Sequence, residues 1–579
     1  MTETYSQLLA RAFADAGITD AFVVTGGAIA PFTSALAEQG RVSMHFMLNE
    51  QSAGVAAEAY GFYDGNPCLL VVTSGPGVTN CLTAVAAAYT NSSPIIVVSG
   101  QARIQDIKFA ESHKLRQAGN QHLRTREIVS TITNKFYEPT EQVECNELVK
   151  DLIKSATNSR KGPTWLSFPI DLQRQKVDTY QFPLKIKEAE NLLNEKFFDL
   201  DNFATQLEKS QRPAILIGNG ARESIASLTD FANRMQIPIL TTWPALDLVS
   251  ENHHLYVGRP GSLPSSWLPN MVNYHSDFLI IVGARLDLAQ LGYNVEDFAK
   301  ETQVWRIDVD YSELQRFSRP NWINNLISTK EFVSHLQLMS LDLDLNNWWQ
   351  QINQWKIQDK KPGNVNQSLI DGMSTYRVIE FLSKRLCPEI IVTGSSGTCI
   401  EMLLQTWSTS SNQRIVNSCG LGSMGFALPA AIGVSYKVNN ESVYCVESDG
   451  SLAMSLQDLH TIVKKQRNIK IVLLDSGGYK SIDLSQKRVG QHSHGYNEQT
   501  GLHLPDISKF ALAVGIRYLF ISGDDNLDTK TLQFLRTEGS CLVHFKVSRH
   551  EVPLPRLVST VNSQGLMVAP SLIDLQPPV

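Results

Sequence analysis

Short apolar runs, each ending near a Gly, Ser or Asp, alternate along most of the chain with amphipathic stretches of helical length, such as 52–62 and 78–89. Apolar runs without polar alternation are typical of strands buried on both faces of a parallel sheet. This alternation favours an α/β fold. The predicted strands lie at 21–24, 68–72, 95–98, 214–220, 237–242, 278–283, 304–308, 389–393, 442–446, 469–474 and 541–545, with a further apolar segment at 165–171.

The strand–helix alternation falls into three successive units, separated by the polar segments 172–200 and 340–372. A chain of 579 residues is long enough for three or four domains of about 150 residues each. The last residues, 559–579, fit either a lid or a loose tail. We therefore predict an α/β protein with three doubly wound parallel-sheet domains, at 1–180, 200–340 and 373–560.

The segment 448–482 carries the strongest chemical signal of the third unit. It begins with Ser448-Asp449-Gly450-Ser451, continues through an amphipathic stretch and the apolar run 469–474, and ends with Asp475-Ser476-Gly477-Gly478-Tyr479. Two strands joined by a helix end at the same edge of a parallel sheet, which is where ligands bind in such sheets. We expect the two polar turns to meet at that edge.

Glu50 is predicted to open a helix whose other residues are mostly small. A carboxylate there would be largely desolvated, although a Glu in the first turn of a helix is more often a partner of the helix dipole. Two glycine turns accompany it: Gly26-Gly27 and Thr73-Ser74-Gly75-Pro76-Gly77. Bare backbone at strand–helix turns lets a flat or anionic ligand approach closely.

Composition argues against some classes of binding partner and indicates the cellular compartment. The net charge of −6 argues against nucleic acid or an anionic membrane as the main partner, and no apolar run reaches the roughly 18 residues of a membrane span. The N-terminus lacks a basic region followed by an apolar one. The eight Cys show no C-x-x-C spacing, which favours reduced, buried thiols in a cytoplasmic protein over a zinc or disulfide site.

Short motifs follow one another in a characteristic order: Gly26-Gly27-Ala28, Asn49-Glu50-Gln51, Thr73-Ser74-Gly75-Pro76-Gly77, Ser99-Gly100-Gln101, 420–426 and 428–431. This order resembles the acetolactate-synthase group of thiamine-diphosphate enzymes, over nearly the whole chain. A narrower resemblance is to the acetolactate-synthase-like enzymes of bacterial polysaccharide and branched-sugar gene clusters. It rests on Arg116-Gln117 with Gln121, on Gly478-Tyr479-x-Ser481-Ile482 and on 501–506.

The resemblance implies thiamine diphosphate as cofactor and assigns roles to three side chains. Glu50 would hydrogen-bond the cofactor's aminopyrimidine, Met424 would hold the pyrimidine over the thiazolium, and Gln101 would lie near the substrate. Without the surrounding motifs, Met424 would be an ordinary core residue and Gln101 a polar strand end. The pyrimidine-binding residues of the first unit are implied to be Gly26, Gly27, Thr73, Gly75, Pro76 and Asn80.

The same resemblance places the cofactor's diphosphate on the third unit. The loop from Thr393 to Thr398 follows a strand and should open a helix whose amides face phosphate oxygens. Because this unit and the unit that carries Glu50 are different domains, the family implies a homodimer or homotetramer with active sites between subunits. The implied cofactor-binding residues are Gly394, Ser395, Ser396, Gly397, Thr398, Gly422, Met424, Gly450, Ser451, Gly478 and Tyr479.

The metal motif departs from that of the family, which binds Mg²⁺ with Gly-Asp-Gly and a downstream Asn-Asn. Asp449 is kept, but Ser448 replaces the first Gly and Asp475-Ser476 replaces the Asn pair. The implied ligands are Asp449, Ser476 and the carbonyl of Gly478, with Ser476 binding either directly, as P-loop hydroxyls do, or through a water. Asp475 either assists through neighbouring hydrogen bonds or repels the diphosphate. We expect cofactor binding to survive.

The middle unit carries Gly-x-Gly and arginine signals that are weak by themselves. Acetolactate-synthase relatives bind FAD in this region, so the resemblance leaves three alternatives: FAD, an ADP-type ligand, or no ligand. Arginines suit a pyrophosphate because a guanidinium binds it with two parallel hydrogen bonds. The residues of this candidate site are Gly218, Gly220, Arg222, Arg259 and Arg285.

The resemblance implies a carboligase that decarboxylates pyruvate or a similar 2-oxo acid and transfers the acyl unit to a carbonyl acceptor. One alternative is a 2-oxo acid decarboxylase without ligation. Relatives of that kind use an adjacent His pair in the first domain, whereas the pair here, His253-His254, lies in the middle unit and His113 stands alone. The other alternative is a catalytically silent family member, favoured by Asp475-Ser476. Donor, acceptor and pathway are not fixed by the sequence.

Overall fold

The computed structural model describes residues 3–177, 198–262, 267–317, 319–359, 371–394, 396–523, 527–555, 557 and 559–575. Over these ranges the chain forms three six-stranded sheets, one for each predicted unit, and every strand pair within them is parallel. The predicted α/β fold with three parallel-sheet domains is confirmed. None of the described helices is long and apolar enough to cross a membrane.

The first sheet contains the strands β1 (Asp20–Val23), β2 (Ser43–Phe46), β3 (Leu69–Val72), β4 (Ile96–Gln101), β5 (Lys135–Tyr137) and β6 (Thr164–Pro169). Their order across the sheet is β2-β1-β3-β4-β6-β5. The helices of this unit are Tyr5–Asp15, Ala30–Gln39, Glu50–Asp64, Pro76–Asn91, Ile104–Ser112, Thr125–Val129, Cys145–Thr157 and Ile170–Gln173.

The second sheet contains β7 (Pro213–Ile217), β8 (Ile239–Thr241), β9 (Tyr256–Gly258), β10 (Phe278–Val282), β11 (Gln303–Asp308) and β12 (Trp322–Leu326). Their order is β12-β11-β10-β7-β8-β9. Its α-helices are Leu200–Lys209, Ile225–Met235, Trp267–His275, Leu288–Leu291, Tyr311–Gln315, Thr329–Leu336 and Asn346–Gln358.

The third sheet contains β13 (Ile390–Thr393), β14 (Arg414–Val416), β15 (Val443–Ser448), β16 (Ile469–Asp475), β17 (Arg517–Ile521) and β18 (Cys541–Lys546). Their order is β14-β13-β15-β16-β18-β17. Its helices are Thr375–Glu380, a π-helical turn Phe381–Leu386, Thr398–Thr406, Ala427–Lys437, Asp449–Leu452, Gln457–Lys464, Lys480–Arg488, Ile507–Val514 and Thr529–Arg536.

The first and third units share one hydrophobic core within the chain. The helices Glu50–Asp64 and Ala427–Lys437 approach so closely that a Cβ on Gly433 would lie 2.0 Å from the carbonyl oxygen of Ala56. Only glycine allows that approach. The packing fixes the helix that carries Glu50 against the domain that carries the predicted phosphate loop.

Parts of the predicted connector 340–372 and of the C-terminal stretch 559–579 are structured. The predicted connector 340–372 contains the helix Asn346–Gln358, whose Trp348 and Ile352 are buried in the core of the central unit. Within the described part of the C-terminal stretch, the hydroxyl of Ser571 donates to the carboxylate of Asp297 and Leu575 is buried in the same core. The residues from Ser571 to Leu575 therefore dock on the central unit and are not a loose tail. The alternative of a lid stays a prediction.

Arg414 should be one of the main stabilising residues between the units. Its guanidinium donates to the carbonyls of Phe62 and Tyr63 at 2.7 and 3.0 Å and to the fully buried carboxylate of Asp247 at 2.8 Å. We expect Arg414→Met to lower the free energy of unfolding by about 3 kcal/mol, because it leaves a buried charge short of a partner. Urea unfolding followed by fluorescence measures this.

The matched control is Arg41→Met, which breaks an exposed ion pair with Asp15 and should cost less than about 1 kcal/mol. Equal losses for the two variants would contradict the assignment of Arg414.

Candidate active site

Glu50 is the first residue of its helix, as predicted, and Asn49 caps that helix by accepting hydrogen bonds from the N–H groups of Gln51 and Ser52. The Oε2 atom of Glu50 accepts a hydrogen bond of 3.0 Å from Nδ2 of Asn80. The side chain is half-buried rather than largely desolvated, because the first turn of the helix lies at the surface of the chain. Within one chain, Glu50 therefore lacks the desolvation that the sequence predicts for it.

The two predicted glycine turns lie side by side at the carboxyl edge of the first sheet. A Cβ on Gly26 would lie 2.4 Å from the Cβ of Thr73, so the first turn contacts the second directly. Gly75 has a φ of +61° and opens the helix that begins at Pro76. The predicted pyrimidine-binding residues Gly26, Gly27, Thr73, Gly75, Pro76 and Asn80 thus lie on adjoining turns next to Glu50.

Gln101 ends β4 in a buried position, and its amide group is engaged by the protein. Its Nε2 donates to the carbonyl of Leu123 at 2.9 Å, and also contacts Oγ1 of Thr125 and Oε2 of Glu138, each at 3.2 Å. Its Oε1 accepts from the N–H of Ala102 at 2.9 Å. A substrate would have to replace one of these partners, and the role of Gln101 near the substrate stays a prediction.

The predicted phosphate loop connects β13 to the helix Thr398–Thr406, with Gly397 at a φ of +101° as the capping residue. Gly394 and Ser396 belong to this loop, whereas Ser395 lies outside the described residues. The first N–H groups of a helix have no intrahelical acceptors. The loop therefore presents backbone donors at the carboxyl edge of the third sheet, as the sequence predicts.

Two buried hydroxyls at the ends of this loop have no hydrogen-bond partner among the described residues: Thr393 and Thr398. A buried hydroxyl without a partner costs free energy unless a ligand or water satisfies it. The donor chemistry of this edge therefore fits a bound diphosphate.

Asp449 meets the turn after β16, as the strand–helix–strand prediction requires. β15 and β16 are parallel neighbours, and Oδ2 of Asp449 accepts a hydrogen bond of 2.6 Å from the N–H of Gly478. Ser476 is buried on the intervening turn. A carboxylate, a hydroxyl and a backbone carbonyl are oxygen ligands of the kind that Mg²⁺ prefers. The predicted ligands Asp449, Ser476 and Gly478 thus lie on two adjacent strand ends.

Gly450 contacts the two predicted cofactor residues Tyr479 and Met424. A Cβ on Gly450 would lie 2.3 Å from the ring of Tyr479 and 3.5 Å from the methyl group of Met424. Ser451 accepts a hydrogen bond of 2.8 Å from the N–H of Gly425. The loop that contains Gly422 and Met424, the turn at Gly450 and the turn at Tyr479 therefore form one continuous surface.

Asp475 is paired within the protein. Its carboxylate accepts from the N–H of Gly477 at 2.7 Å, lies 2.8 Å from Nε2 of His544, and is 3.3 Å from Nζ of Lys546. Burial alone would raise the pKa of Asp475, but the hydrogen bond to His544 and the charge of Lys546 hold that pKa well below its usual range. Burial, together with the nearby Asp475, raises the pKa of Asp449 to about 7.

Glu447 is a residue of this edge that sequence reasoning missed. It is fully buried, and its carboxylate accepts from the N–H groups of Ala427 at 3.0 Å and Ser448 at 3.1 Å. Burial raises its pKa to about 7. The only sequence signal for it is a lone acidic residue at the end of an apolar strand.

The central unit borders a cavity of about 1160 Å³ that also touches the other two units. Of the five residues predicted there, Gly220, Arg222 and Arg285 line it. The guanidinium of Arg222 is paired with Asp247 at 2.6 Å, and that of Arg285 with Asp287 at 2.7 Å. The cavity is large enough for a dinucleotide, but both arginines already have carboxylate partners.

The other two residues of this candidate site are Gly218 and Arg259, and their part in ligand binding stays a prediction. Neither residue lines the cavity. Arg259 is buried and donates to the carbonyls of Gln405 and Trp407 in the third unit at 3.0 and 3.1 Å. Gly218 lets its backbone approach that of Gly283 closely, because a Cβ on Gly218 would lie 2.1 Å from the carbonyl oxygen of Gly283.

Three family models match successive parts of the chain. The model "Thiamine pyrophosphate enzyme, N-terminal TPP binding domain" matches residues 3–125, the central domain of the same enzymes matches 200–336, and their C-terminal TPP binding domain matches 396–545. The chain belongs to the thiamine pyrophosphate enzymes. Thiamine diphosphate is therefore its cofactor, as predicted. The two matched TPP-binding domains are those that carry Glu50 and Asp449.

Three curated relatives are similar to this thiamine pyrophosphate enzyme over more than nine-tenths of their own length. Acetolactate synthase isozyme 1 large subunit of Escherichia coli (strain K12) is 24% identical, with 92% of each chain covered. The isozyme 2 large subunit of the same organism is 26% identical over 94% of this chain and 96% of its own. The acetolactate synthase large subunit of Lactococcus lactis is 26% identical, with 97% and 96% covered.

Proposed function

We propose that this thiamine pyrophosphate enzyme is a Mg²⁺-dependent carboligase that decarboxylates pyruvate or a similar 2-oxo acid and transfers the acyl unit to a carbonyl acceptor. The observation that carries the proposal is the carboxyl edge of the third sheet. There Asp449 accepts a hydrogen bond from the turn at Gly478, and a Cβ on Gly397 would lie 3.5 Å from Oγ of Ser448. The hydroxyl of Thr398, at the start of the next helix, has no partner among the described residues. When bound, thiamine diphosphate supplies a nucleophilic carbon and an electron sink for decarboxylation.

The two TPP-binding domains supply different residues to the proposed site. In the proposal, Glu50 holds a proton against the aminopyrimidine ring, and Asn80, 3.0 Å away, orients its carboxylate. Asp449, Ser476 and the carbonyl of Gly478 hold Mg²⁺, while the amides at the start of the helix Thr398–Thr406 bind phosphate oxygens. Met424, in contact range of Gly450, supports the cofactor from the side of that turn.

The proposal includes a homodimer or homotetramer that completes the site. Exposed apolar side chains flank the predicted residues of both domains: Leu48 is 61% exposed two residues before Glu50, and Leu421 is 43% exposed beside Gly422. Exposed apolar side chains on both sides of the proposed site would fit a surface that a second subunit covers. A second subunit over this surface would also bury Glu50, which is half-buried in one chain.

The central cavity is proposed to take FAD or an ADP-type ligand. Its support is the volume of about 1160 Å³ and its place at the carboxyl ends of β7, β10 and β11, where Asn219, Gly283 and Asp308 line it. Nucleotides bind at such strand ends in doubly wound sheets. Absorbance of the purified protein near 450 nm, a general property of flavins, would separate FAD from the ADP-type alternative.

Two other activities compete with ligation. Simple decarboxylation is disfavoured because His253 and His254, although their rings stack 4.9 Å apart, lie in the central unit. A silent protein is disfavoured because Asp475, the most unusual residue of the metal motif, is paired with Lys546 and with His544. The named relatives are acetolactate synthases; a keto-sugar acceptor, which the narrower resemblance to sugar-cluster enzymes predicts, stays a proposal beside a second 2-oxo acid.

The test is to titrate the purified protein with thiamine diphosphate and Mg²⁺ by calorimetry, then to add pyruvate and follow carbon dioxide and products. Binding followed by carbon dioxide release and a ligated product supports the carboligase. Acetaldehyde as the only product would establish the decarboxylase. Failure to bind the cofactor at millimolar concentration would contradict both enzymes.

A further inference from the structure

β16 and β18 place one acidic and two basic side chains together behind the metal motif. Asp475 is the register partner of Lys546 in this parallel pair. Side chains two residues apart on a strand share a face, so His544 lies on the same face as Lys546. Both are half-buried, with side-chain exposures of 12% and 32%.

Each oxygen of the Asp475 carboxylate has a donor. Oδ1 accepts from the N–H of Gly477 at 2.7 Å and Oδ2 lies 2.8 Å from Nε2 of His544, while Nζ of Lys546 lies 3.3 Å from both. Nδ1 of His544 lies 2.8 Å from the hydroxyl of Tyr518 on β17. The carboxylate is thus held by its own turn and by two side chains of β18, one of which, His544, also contacts Tyr518 on β17. In this arrangement the carboxylate is engaged within the protein.

The charge of Asp475 matters because its carboxylate lies close to the proposed metal–diphosphate site. Asp475 adjoins Ser476, and the register of β15 and β16 pairs Ser448 with Leu474, so Asp449 and Asp475, the next residue on each segment, lie side by side. Ser476 and Asp449 are both proposed metal ligands. An extra negative charge there opposes a bound diphosphate, and opposite charges within about 4 Å offset such repulsion. A Cβ on Gly477 would lie 3.4 Å from Nζ of Lys546. The ammonium group of Lys546 therefore borders the same turn.

We propose that Lys546 and His544 are positioning residues. Lys546 compensates the charge of Asp475, and His544 holds the Asp475 carboxylate by a hydrogen bond. Together they fix the turn 475–478, so that a metal–diphosphate site tolerates an acidic residue at this place. This inference rests on the proposed function of the third unit. In this proposal Asp475 is not a metal ligand. The effect of replacing Asp475, His544 or Lys546 depends on whether the other two are present.

The test is a double-variant cycle read out as the Kd for thiamine diphosphate at saturating Mg²⁺, measured by calorimetry. We expect Lys546→Met to raise Kd about 10-fold, because it leaves the Asp475 charge next to the diphosphate. Asp475→Asn alone should leave Kd within about 3-fold of the wild type or lower it. The double variant Asp475→Asn with Lys546→Met should return to within about 3-fold, since no charge then needs compensation.

Lys509→Met is the matched control, because Nζ of Lys509 lies 3.3 Å from Asp506 in an exposed ion pair of the same domain; its Kd should be unchanged. Lys546→Gln repeats the test if the Met variant folds poorly. An unrescued double variant would show that Lys546 acts only on folding, and a large loss of Mg²⁺ affinity in Asp475→Asn would make Asp475 a metal ligand; either result overturns the inference. If the wild type itself does not bind, the proposed function fails instead.

Discussion

Replacing Glu50 with Gln should reduce carbon dioxide release from pyruvate by roughly 10²- to 10⁴-fold, the usual contribution of a positioned acid or base. The amide has the size of the carboxyl group and retains an oxygen that can accept from Nδ2 of Asn80 at 3.0 Å. It cannot hold and release a proton at the cofactor. Because the proposed diphosphate site lies on the other domain, the Kd for thiamine diphosphate should change less than about 10-fold.

Glu147→Gln is the control for this variant. Glu147 also lies in the first turn of a helix of the same unit, Cys145–Thr157, and is exposed. If Glu50 served only the helix dipole, the two variants would have the same small effect, a few tenths of a kcal/mol on stability. Wild-type turnover in Glu50→Gln would contradict the proposed role.

The predicted strands show how far a sequence pattern determines this fold. In each sheet, the four inner strands fall on the predicted apolar segments, and both edge strands were missed. Inner strands are buried on both faces, so they form continuous apolar runs. Edge strands such as β2 and β5 are half-exposed along their length, which leaves a mixed pattern that also fits a loop.

The candidate site was predictable where it depends on local turns. Glu50, Gly75 and Gly397 each stand at the start of a helix, and such starts have sequence signals of their own. Contacts between distant segments had no such signal. The pairing of Asp475 with His544 and Lys546 requires β18 to lie beside β16, and the carbonyls that bind Arg259 come from another domain.

Asp449→Asn should abolish Mg²⁺-dependent cofactor binding, raising the Mg²⁺ concentration for half-saturation by about 100-fold or more. An amide oxygen can still accept from the N–H of Gly478 at 2.6 Å, so the turn should keep its shape. The amide lacks the negative charge that attracts a hard cation. Calorimetric titration of Mg²⁺ at fixed thiamine diphosphate measures the change.

The melting temperature of the metal-free protein distinguishes loss of a Mg²⁺-binding side chain from damage to the fold. Burial and the nearby Asp475 raise the pKa of Asp449 to about 7, above the unfolded value of about 4. The native carboxyl group therefore binds a proton more tightly than the unfolded one, so its contribution to stability falls as pH rises from about 4 to 7 and stays low above that range. A neutral amide has no such cost, and at pH 8 with EDTA the Asn variant should melt at the same temperature as the wild type or higher.

Asp506→Asn supplies the comparison for both measurements, because Asp506 is an exposed helix cap in the same domain. Its Mg²⁺ dependence should match the wild type. If Asp449→Asn bound Mg²⁺ and cofactor normally, the oxygen ligands would have to come from elsewhere on this edge. A lower melting temperature together with weak binding would mean that the carboxylate stabilises the turn itself, since the fold and the metal would then depend on the same hydrogen bond to Gly478.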